Sequence, residues 1–483
     1  MIHKEAVAFF NGEADSRNLW RKRNWYYHRE LYNFFSFSIP RGSSTLEIGC
    51  ATGELIAEVA GENGYGVDLS PRMLEIAGKN HPSTMFEVGD IEDLRLQKTF
   101  DYIIMQDLLG HLGDIWLAFN NLKKLSTPKT RVIITTYNHL WEPLVKFSEK
   151  IGLKGPEPYH NWLTLGDIEN LLYLNNFEVV KKGRRFLLPF HIPLLSDLIN
   201  KYVAKIPGIR NLCLIQFIIA RPFPEQKEPR QYSVSVVVPC RNEAGNIERL
   251  FNELPRLGSG TELVFVDGNS TDGTVEKIKE ETAKHPEIPV KLLLQGGAFG
   301  KADAVRKGFE ASTGEMLMIL DADLTVLPED LKKFYAAIAE GKGEFINGSR
   351  LVYPMEKGAM RFLNMLGNKT FSLIFTWTLG QRIKDTLCGT KVLLRSDYEK
   401  IKAGRSYFGD FDPFGDFDLL LGAARLSLKI VDLPVRYHAR TYGDTKISRF
   451  RHGWLLLQMA LFAYRKLKIQ IYKPPRNKPP QLS

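Results

Sequence analysis

Two carboxylates one residue apart, Asp321 and Asp323, close the apolar run Met316-Leu317-Met318-Ile319-Leu320. Such a run reads as a buried strand, and open α/β sheets bind ligands at the C-terminal ends of their strands. Paired acids at that place suit a hard divalent cation, which takes oxygen ligands and can share them with a diphosphate. Taken alone, an Asp-x-Asp is as well explained by a solvated acidic turn. It is not alone here. Ser233 to Pro239 reads as another buried strand and runs into Cys240-Arg241-Asn242-Glu243, which looks like the start of a helix. Glu262 to Val266 ends on Asp267, followed by Gly268-Asn269-Ser270-Thr271-Asp272-Gly273. Glu243, Asp267 and the Asp321/Asp323 pair therefore fall at successive strand ends along one sheet edge.

That ordered set resembles family 2 glycosyltransferases of the GT-A fold, whose strands end in a VP…NE, a VDxxSxD and a DxD. The resemblance runs from about Ser233 to about Trp454. Within the family, Asn347-Gly348-Ser349-Arg350, Lys384 to Lys391 and Arg440 to Lys446 are similar to the polyprenyl-phosphate mannose and glucose synthases. The resemblance implies a nucleotide-sugar donor held by Pro239, Glu243, Asp267, Asp321 and Arg350. It implies Mg2+ or Mn2+ on Asp321 and Asp323, and phosphate contacts from Arg440 and Lys446. Nucleotide diphosphate and lipid phosphate together concentrate negative charge that such cations neutralise. For Arg350 a plain surface salt bridge is the competing reading.

The sugar acceptor has two readings. Gly415-Asp416-Phe417-Asp418 occupies the stretch where many family 2 enzymes place a catalytic acid as Glu-Asp, and Gly415 replaces the Glu. A hydroxyl acceptor must lose a proton, which makes Asp416 the general base. A polyprenyl phosphate is already ionised, so Arg440 and Lys446 would matter more. The Arg440 to Lys446 stretch and the basic tail favour the phosphate over a glycan hydroxyl.

The first half carries separate chemistry. Ser44 to Ile48 reads as a strand, followed by the turn Gly49-Cys50-Ala51-Thr52-Gly53 and a helix from Glu54. Glycines at a strand-to-helix turn let a cofactor approach the backbone. A second strand ends on Asp68, the place for an acid that grips ribose hydroxyls, and a third ends at Gly89-Asp90-Ile91. Phe100 to Met105 and Arg131 to Thr136 continue the pattern. It resembles the class I S-adenosylmethionine-dependent methyltransferase fold over roughly Ser43 to Ala220. The resemblance makes Glu47, Gly49, Gly53, Asp68, Asp90 and Ile91 the cofactor-binding set. A nicotinamide enzyme is the competing reading, but the GxGxxG spacing is absent.

The methyl acceptor is less legible. His111 suits a general base near neutral pH, although a structural histidine explains it equally well. Many such enzymes carry an acid just before this histidine, and here Gly110 stands there. His160-Asn161-Trp162 and a helix over Leu165 to Leu174 resemble the substrate-cap side of small-molecule methyltransferases. Residues 1–42 are rich in aromatics and are expected to form a helix closing over the cofactor site.

Length and composition fit this division. A chain of 483 residues suggests two domains. The expected architecture is α/β, with a Rossmann-like methyltransferase domain over 1–220, a linker over 221–231 and a GT-A domain over 232–483. Proline and charge in Arg221 to Arg230 read as linker. Four dispersed cysteines without a CxxC argue for reduced thiols and against a disulfide or zinc framework. No signal-peptide core opens the chain, and no run reaches the ~18 apolar residues needed to span a bilayer. The expected location is cytoplasmic.

The net charge of +10 is concentrated at the end, where Asp444 to Ser483 holds nine Lys or Arg against one acid. Within it, Trp454 to Tyr464 fits an interfacial helix on the anionic inner face of the cell membrane. A helix packed on the catalytic domain fits equally well. Nucleic acid is not the expected partner, because aromatics do not interleave with the basic residues. The resulting expectation is a bifunctional transferase. The alternative is a glycosyltransferase whose methyltransferase-like half serves as an inactive binding or assembly module.

Overall fold

The computed structural model describes residues 2–158, 160–224, 230–297, 300–352, 362–408, 415, 417–438, 440, 442 and 449–469. The chain divides into two compact units, one formed by Met1–Phe223 with the segment beyond Leu467, the other by Pro224–Leu467.

In the first unit, Val, Ile and Leu runs bounded by glycine turns make β1 (Thr45–Ile48), β2 (Gly64–Asp68), β3 (Met85–Val88), β4 (Phe100–Gln106) and β5 (Ser126–Tyr137). They pair in parallel, and β6 (Phe177–Arg185) and β7 (Ile215–Pro222) complete a sheet of order β3-β2-β1-β4-β5-β7-β6, with β7 antiparallel to both neighbours. Burial on both faces explains the continuous apolar runs of β4 and β5. One core layer joins Leu46, Ile103, Ile134 and Ile218 to Phe119 and Leu172. The other joins Ile104, Ile133 and Ile219 to Leu31 and Phe35 of the helix Trp25–Ser38. A helix over Ile2–Arg23 precedes it, as expected for the aromatic N-terminus.

In the second unit, β8 (Ser233–Cys240) lies between β9 (Gly260–Asp267) and β11 (Met316–Ile319), all parallel. With β10 (Val290–Leu294), β12 (Phe345–Ser349), β13 (Lys391–Leu394) and β14 (Ile430–Pro434), the order is β10-β9-β8-β11-β13-β12-β14. β13 runs antiparallel to β11 and β12. Because β8, β9 and β11 are adjacent and parallel, their C-terminal ends share one edge, and the acids that follow them converge there.

Two expectations are corrected. The linker does not begin at residue 221. Arg221 and Pro222 end β7, and the Arg221 side chain is buried with its Nε 2.6 Å from Glu178 Oε1. A charged residue in a proline-rich stretch looked solvated, but its carboxylate partner lies across the sheet on β6. Residues 225–229 of that stretch lie outside the described residues. Cys240 likewise ends β8, and the helix expected there begins only at Ala244.

The basic C-terminal helix, Arg449–Leu467, packs by one face and exposes the other. Leu456, Met459, Ala460 and Ala463 are buried, Tyr464 stacks on Trp377, and Trp454, Leu457 and Leu461 are exposed. No described helix is long and apolar enough to cross a membrane.

Candidate functional site

In the first unit the ends of β1, β2, β3 and β4 open into a cavity of about 1220 Å³. Ligand pockets commonly hold roughly 300–1,000 Å³, so there is room for a cofactor and a second substrate. Gly49, Asp68, Asp90, Ile91 and His111 all line it. Gly49 and Gly53 have φ of 75° and 80°, in the left-handed region that glycine adopts without strain. The Asp68 carboxylate accepts from the Ala51 amide at 2.8 Å and the Ser70 amide at 2.9 Å, which fixes the glycine turn beside it. Burial raises its pKa, and those same amides oppose the shift. Asp90 caps the turn at Ile91 by accepting from the Glu92 amide at 2.9 Å.

Glu47 and Gly53 do not form the cavity wall. Glu47 is buried beneath the helix Glu54–Ala60, with burial pushing its pKa well up and the Ile56 amide opposing that. Their part is to shape the turn. The helix Ile2–Arg23 supplies Phe9, Phe10, Glu13, Arg17 and Trp20 to the wall, and Asn11 Oδ1 accepts from Ser70 Oγ at 2.7 Å.

On the acceptor side, His111 Nε2 lies 4.0 Å from Glu157 Oε1, and His160 Nδ1 lies 3.1 Å from Glu157 Oε2. Burial alone would raise the Glu157 pKa, but the His160 hydrogen bond and the Lys154 ammonium at 2.6 Å outweigh it and bring it down to about 2. A carboxylate therefore stands beside His111 although residue 110 is glycine. A side chain at 110 would overlap the His160 ring, so the glycine is where that ring packs. Sequence reasoning missed Glu157, Asp107 and Tyr27. Asp107 follows β4 at φ 52° and accepts from Tyr27 Oη at 2.6 Å. Its place directly after a strand was the available signal.

In the second unit Asp267 is buried and accepts from the backbone amide of Ser270 at 3.0 Å and from its hydroxyl. Asn242, at φ 56°, ties the first loop to the second: its amide donates to Ser270 Oγ at 2.9 Å, and its Oδ1 accepts from the Thr271 amide at 2.8 Å. Pro239 lies near the end of β8, and Glu243 accepts from Asn246 Nδ2 at 2.8 Å. Both DxD carboxylates face cations: Asp321 Oδ1 is 2.5 Å from Lys301 Nζ, and Asp323 Oδ2 is 2.6 Å from Arg440 Nη2. Burial would raise the Asp321 pKa, but Lys301, with Lys391 and Arg350 behind it, makes the net shift downward. Two carboxylates with oxygen donors one residue apart suit a hard divalent cation. Lys301 was also missed, although it opens a helix directly after Gly296-Gly297 and Gly300.

Arg350 is not a surface bridge. Its Nε and Nη2 hold the fully buried Asp385 at 2.7 and 2.9 Å, and Tyr437 lies beneath it. Gly415 has φ of 92° and abuts the backbone of Ala302, so the Glu usual there could not fit without moving that helix. Asp416 and Lys446 lie outside the described residues.

Residues 235–401 match the family model for glycosyl transferase family 2, and residues 19–182 match that for a methyltransferase domain. The chain thus carries a methyltransferase domain followed by a family 2 glycosyltransferase domain. It is 29% identical over 242 residues to a dolichol-phosphate mannosyltransferase of Pyrococcus furiosus, covering 49% of this chain and 64% of that one. It is 29% identical to glycosyltransferase AglJ of Haloferax volcanii, covering 50% of this chain and 74% of that one. A Thermotoga maritima methyltransferase structure superposes with a TM-score of 0.36 at 16% identity, covering 45% of this chain and 99% of that one.

Proposed function

We propose that the second unit transfers a sugar from a nucleotide donor to a polyprenyl phosphate with inversion, and that the first transfers a methyl group from S-adenosylmethionine. The observation that carries the sugar reading is the pairing of Asp321 with Lys301 and of Asp323 with Arg440 at the sheet edge on which Asp267 also ends a strand. Asp267 holds the nucleoside. A divalent cation on Asp321 and Asp323 neutralises charge on the leaving diphosphate when bound. Lys301 and Arg440 exchange their carboxylates for phosphate oxygens, and Lys446 joins them. An ionised phosphate acceptor needs no general base, which leaves Asp416 dispensable. The relatives in Pyrococcus furiosus and Haloferax volcanii support the reading, the first by its name as a dolichol-phosphate mannosyltransferase.

In the first unit Asp68 receives the ribose hydroxyls and Gly49 admits the cofactor to the backbone. S-adenosylmethionine supplies an electrophilic methyl group when bound. His111, with the Glu157 carboxylate 4.0 Å from its Nε2, would take the proton the acceptor loses. The basic C-terminal helix, with Trp454, Leu457 and Leu461 exposed, rests on the membrane that carries the lipid phosphate.

The test is sugar transfer from a panel of labelled nucleotide sugars to a polyprenyl phosphate, with and without EDTA. Lys446→Ala should be crippled, Asp416→Asn should keep measurable turnover, and Asp323→Asn should be inactive. Full turnover in EDTA, or the reverse ranking of Lys446→Ala and Asp416→Asn, would reject the reading.

A further inference from the structure

The turn that follows β4 and the segment leading into the helix Leu165–Leu174 bring two imidazoles and a carboxylate together. Donor atoms of His111, Glu157 and His160 all lie within 4.8 Å of one another. Within that group His111 Nε2 is 4.0 Å from Glu157 Oε1, and His160 Nδ1 is 3.1 Å from Glu157 Oε2. The three side chains are only 15%, 19% and 7% exposed, so water screens them little. Hydrogen bonds hold the two segments against each other. The Asn161 backbone amide donates to Gly110 O at 2.8 Å, and Asn161 Nδ2 donates to Leu112 O at 2.8 Å and Leu109 O at 3.3 Å. A Cβ at Gly110 would stand 2.3 Å from His160 Cε1. That glycine is the gap in which the second imidazole stands beside the first, their ring centroids 5.4 Å apart.

This donor set differs in kind from the paired acids of the second unit. Two nitrogens and one oxygen suit zinc or another divalent transition metal, whereas Mg2+ and Ca2+ take oxygen ligands. Bonds of about 2.0–2.2 Å in a tetrahedral site require donors roughly 3–3.5 Å apart. The Glu157–His160 pair already has that spacing, and side-chain rotation brings His111 onto it. His160 Nδ1 faces Glu157, while its buried Nε2 has no hydrogen-bond partner among the described residues. No bond to the protein therefore fixes which nitrogen keeps the proton, and the ring is able to offer a lone pair. A cation is already drawn to the carboxylate: Lys154 Nζ lies 2.6 Å from Glu157 Oε1 and 2.7 Å from Glu149 Oε1. The ammonium competes for that oxygen, and Glu149 keeps it paired when a metal displaces it.

We propose that His111, Glu157 and His160 bind one divalent transition-metal cation on the acceptor side of the cavity. His111 and Glu157 line that cavity, so a three-ligand site leaves a coordination position open toward a second substrate. An acceptor oxygen bound there would lose its proton to water more readily, with His111 a ligand rather than the proton's destination. That consequence rests on the methyl-transfer reading. The metal site itself does not.

The test is a Co2+ titration of the full chain carrying Asp323→Asn, which weakens the candidate cation site of the second unit, after EDTA treatment and dialysis. One equivalent should bind and give the intense visible bands of a nitrogen-ligated ion of low coordination number. His160→Gln and Glu157→Gln should each weaken binding by about tenfold or more. Lys154→Gln removes the competing ammonium without touching a ligand and should tighten binding by about threefold. The faint spectrum of an oxygen-ligated six-coordinate ion, absence of binding, or unchanged affinity in both ligand variants would overturn the proposal. Should a ligand variant fail to fold, Lys154→Gln decides, and unchanged or weaker Co2+ binding in it overturns the site. Binding is read without turnover, so a chain that takes Co2+ in this way but transfers no methyl group would overturn the methyl-transfer reading alone.

Discussion

Asp68 and Arg350 are single side chains whose environments make opposite predictions. Asp68 faces the cavity with its charge held by two backbone amides. Charge-assisted bonds to ribose hydroxyls should make Asp68→Ala weaken S-adenosylmethionine by about 2 kcal/mol or more, read by titration calorimetry. Unaltered affinity in a folded variant would reject the cofactor assignment. Arg350 instead holds Asp385 with its Nε and Nη2, and the guanidinium keeps that carboxyl far below its usual pKa despite burial that acts the other way. Removing one partner of a buried pair leaves an uncompensated charge. Arg350→Ala should therefore lower unfolding stability by about 3–5 kcal/mol in denaturant titrations. A variant of native stability that has lost only donor affinity would restore the binding role the family resemblance implies.

The N-terminal helices and the loop after Lys154 show how elements set the chemistry of the first site. His28, on the helix Trp25–Ser38, is half-buried in the cavity wall, and desolvation there, with Arg17 and Arg21 nearby, lowers its pKa to about 3. An unfolded histidine titrates near 6.5, so between about pH 3 and 6.5 the unfolded chain binds a proton the folded one refuses. Stability must fall as pH drops through that window, with a limiting slope of about 1.4 kcal/mol per pH unit. The folded pKa of Glu157 is also depressed, so its contribution is present above about pH 4.5 and is lost as pH falls toward 2. Unfolding midpoints of the native chain and His28→Gln at pH 5 to 7 should diverge, the variant being flatter. Parallel curves would show that His28 is solvated.

The whole chain joins two sheets with separate cores, each with its acids at strand ends of its own. A ligand that binds only the native state raises the melting temperature of the unit that binds it. S-adenosylmethionine and a nucleotide sugar with Mn2+ should therefore shift different fractions of the calorimetric unfolding. Asp68→Ala should abolish the first shift and leave the second. A single transition moved by either ligand would mean that the units unfold as one body. That both halves were legible at all follows from their parallel strands, whose apolar runs and polar ends are local patterns.

Sequence alone determined that strand ends deliver Asp68, Asp267, Asp321 and Asp323, because an apolar run followed by a turn and an acid is written in consecutive residues. Tertiary structure decided what those acids face. Lys301 and Arg440 meet Asp321 and Asp323 from residues 20 and 117 positions away along the chain. Glu157 reaches His111, and Arg221 disappears into the sheet against Glu178, by pairings no local pattern encodes. The same holds for the loop at Leu194, where hydrophobicity read from the sequence points inward. Its polar residues are drawn in by backbone amides that only the folded chain brings within reach, and the leucines are left outside.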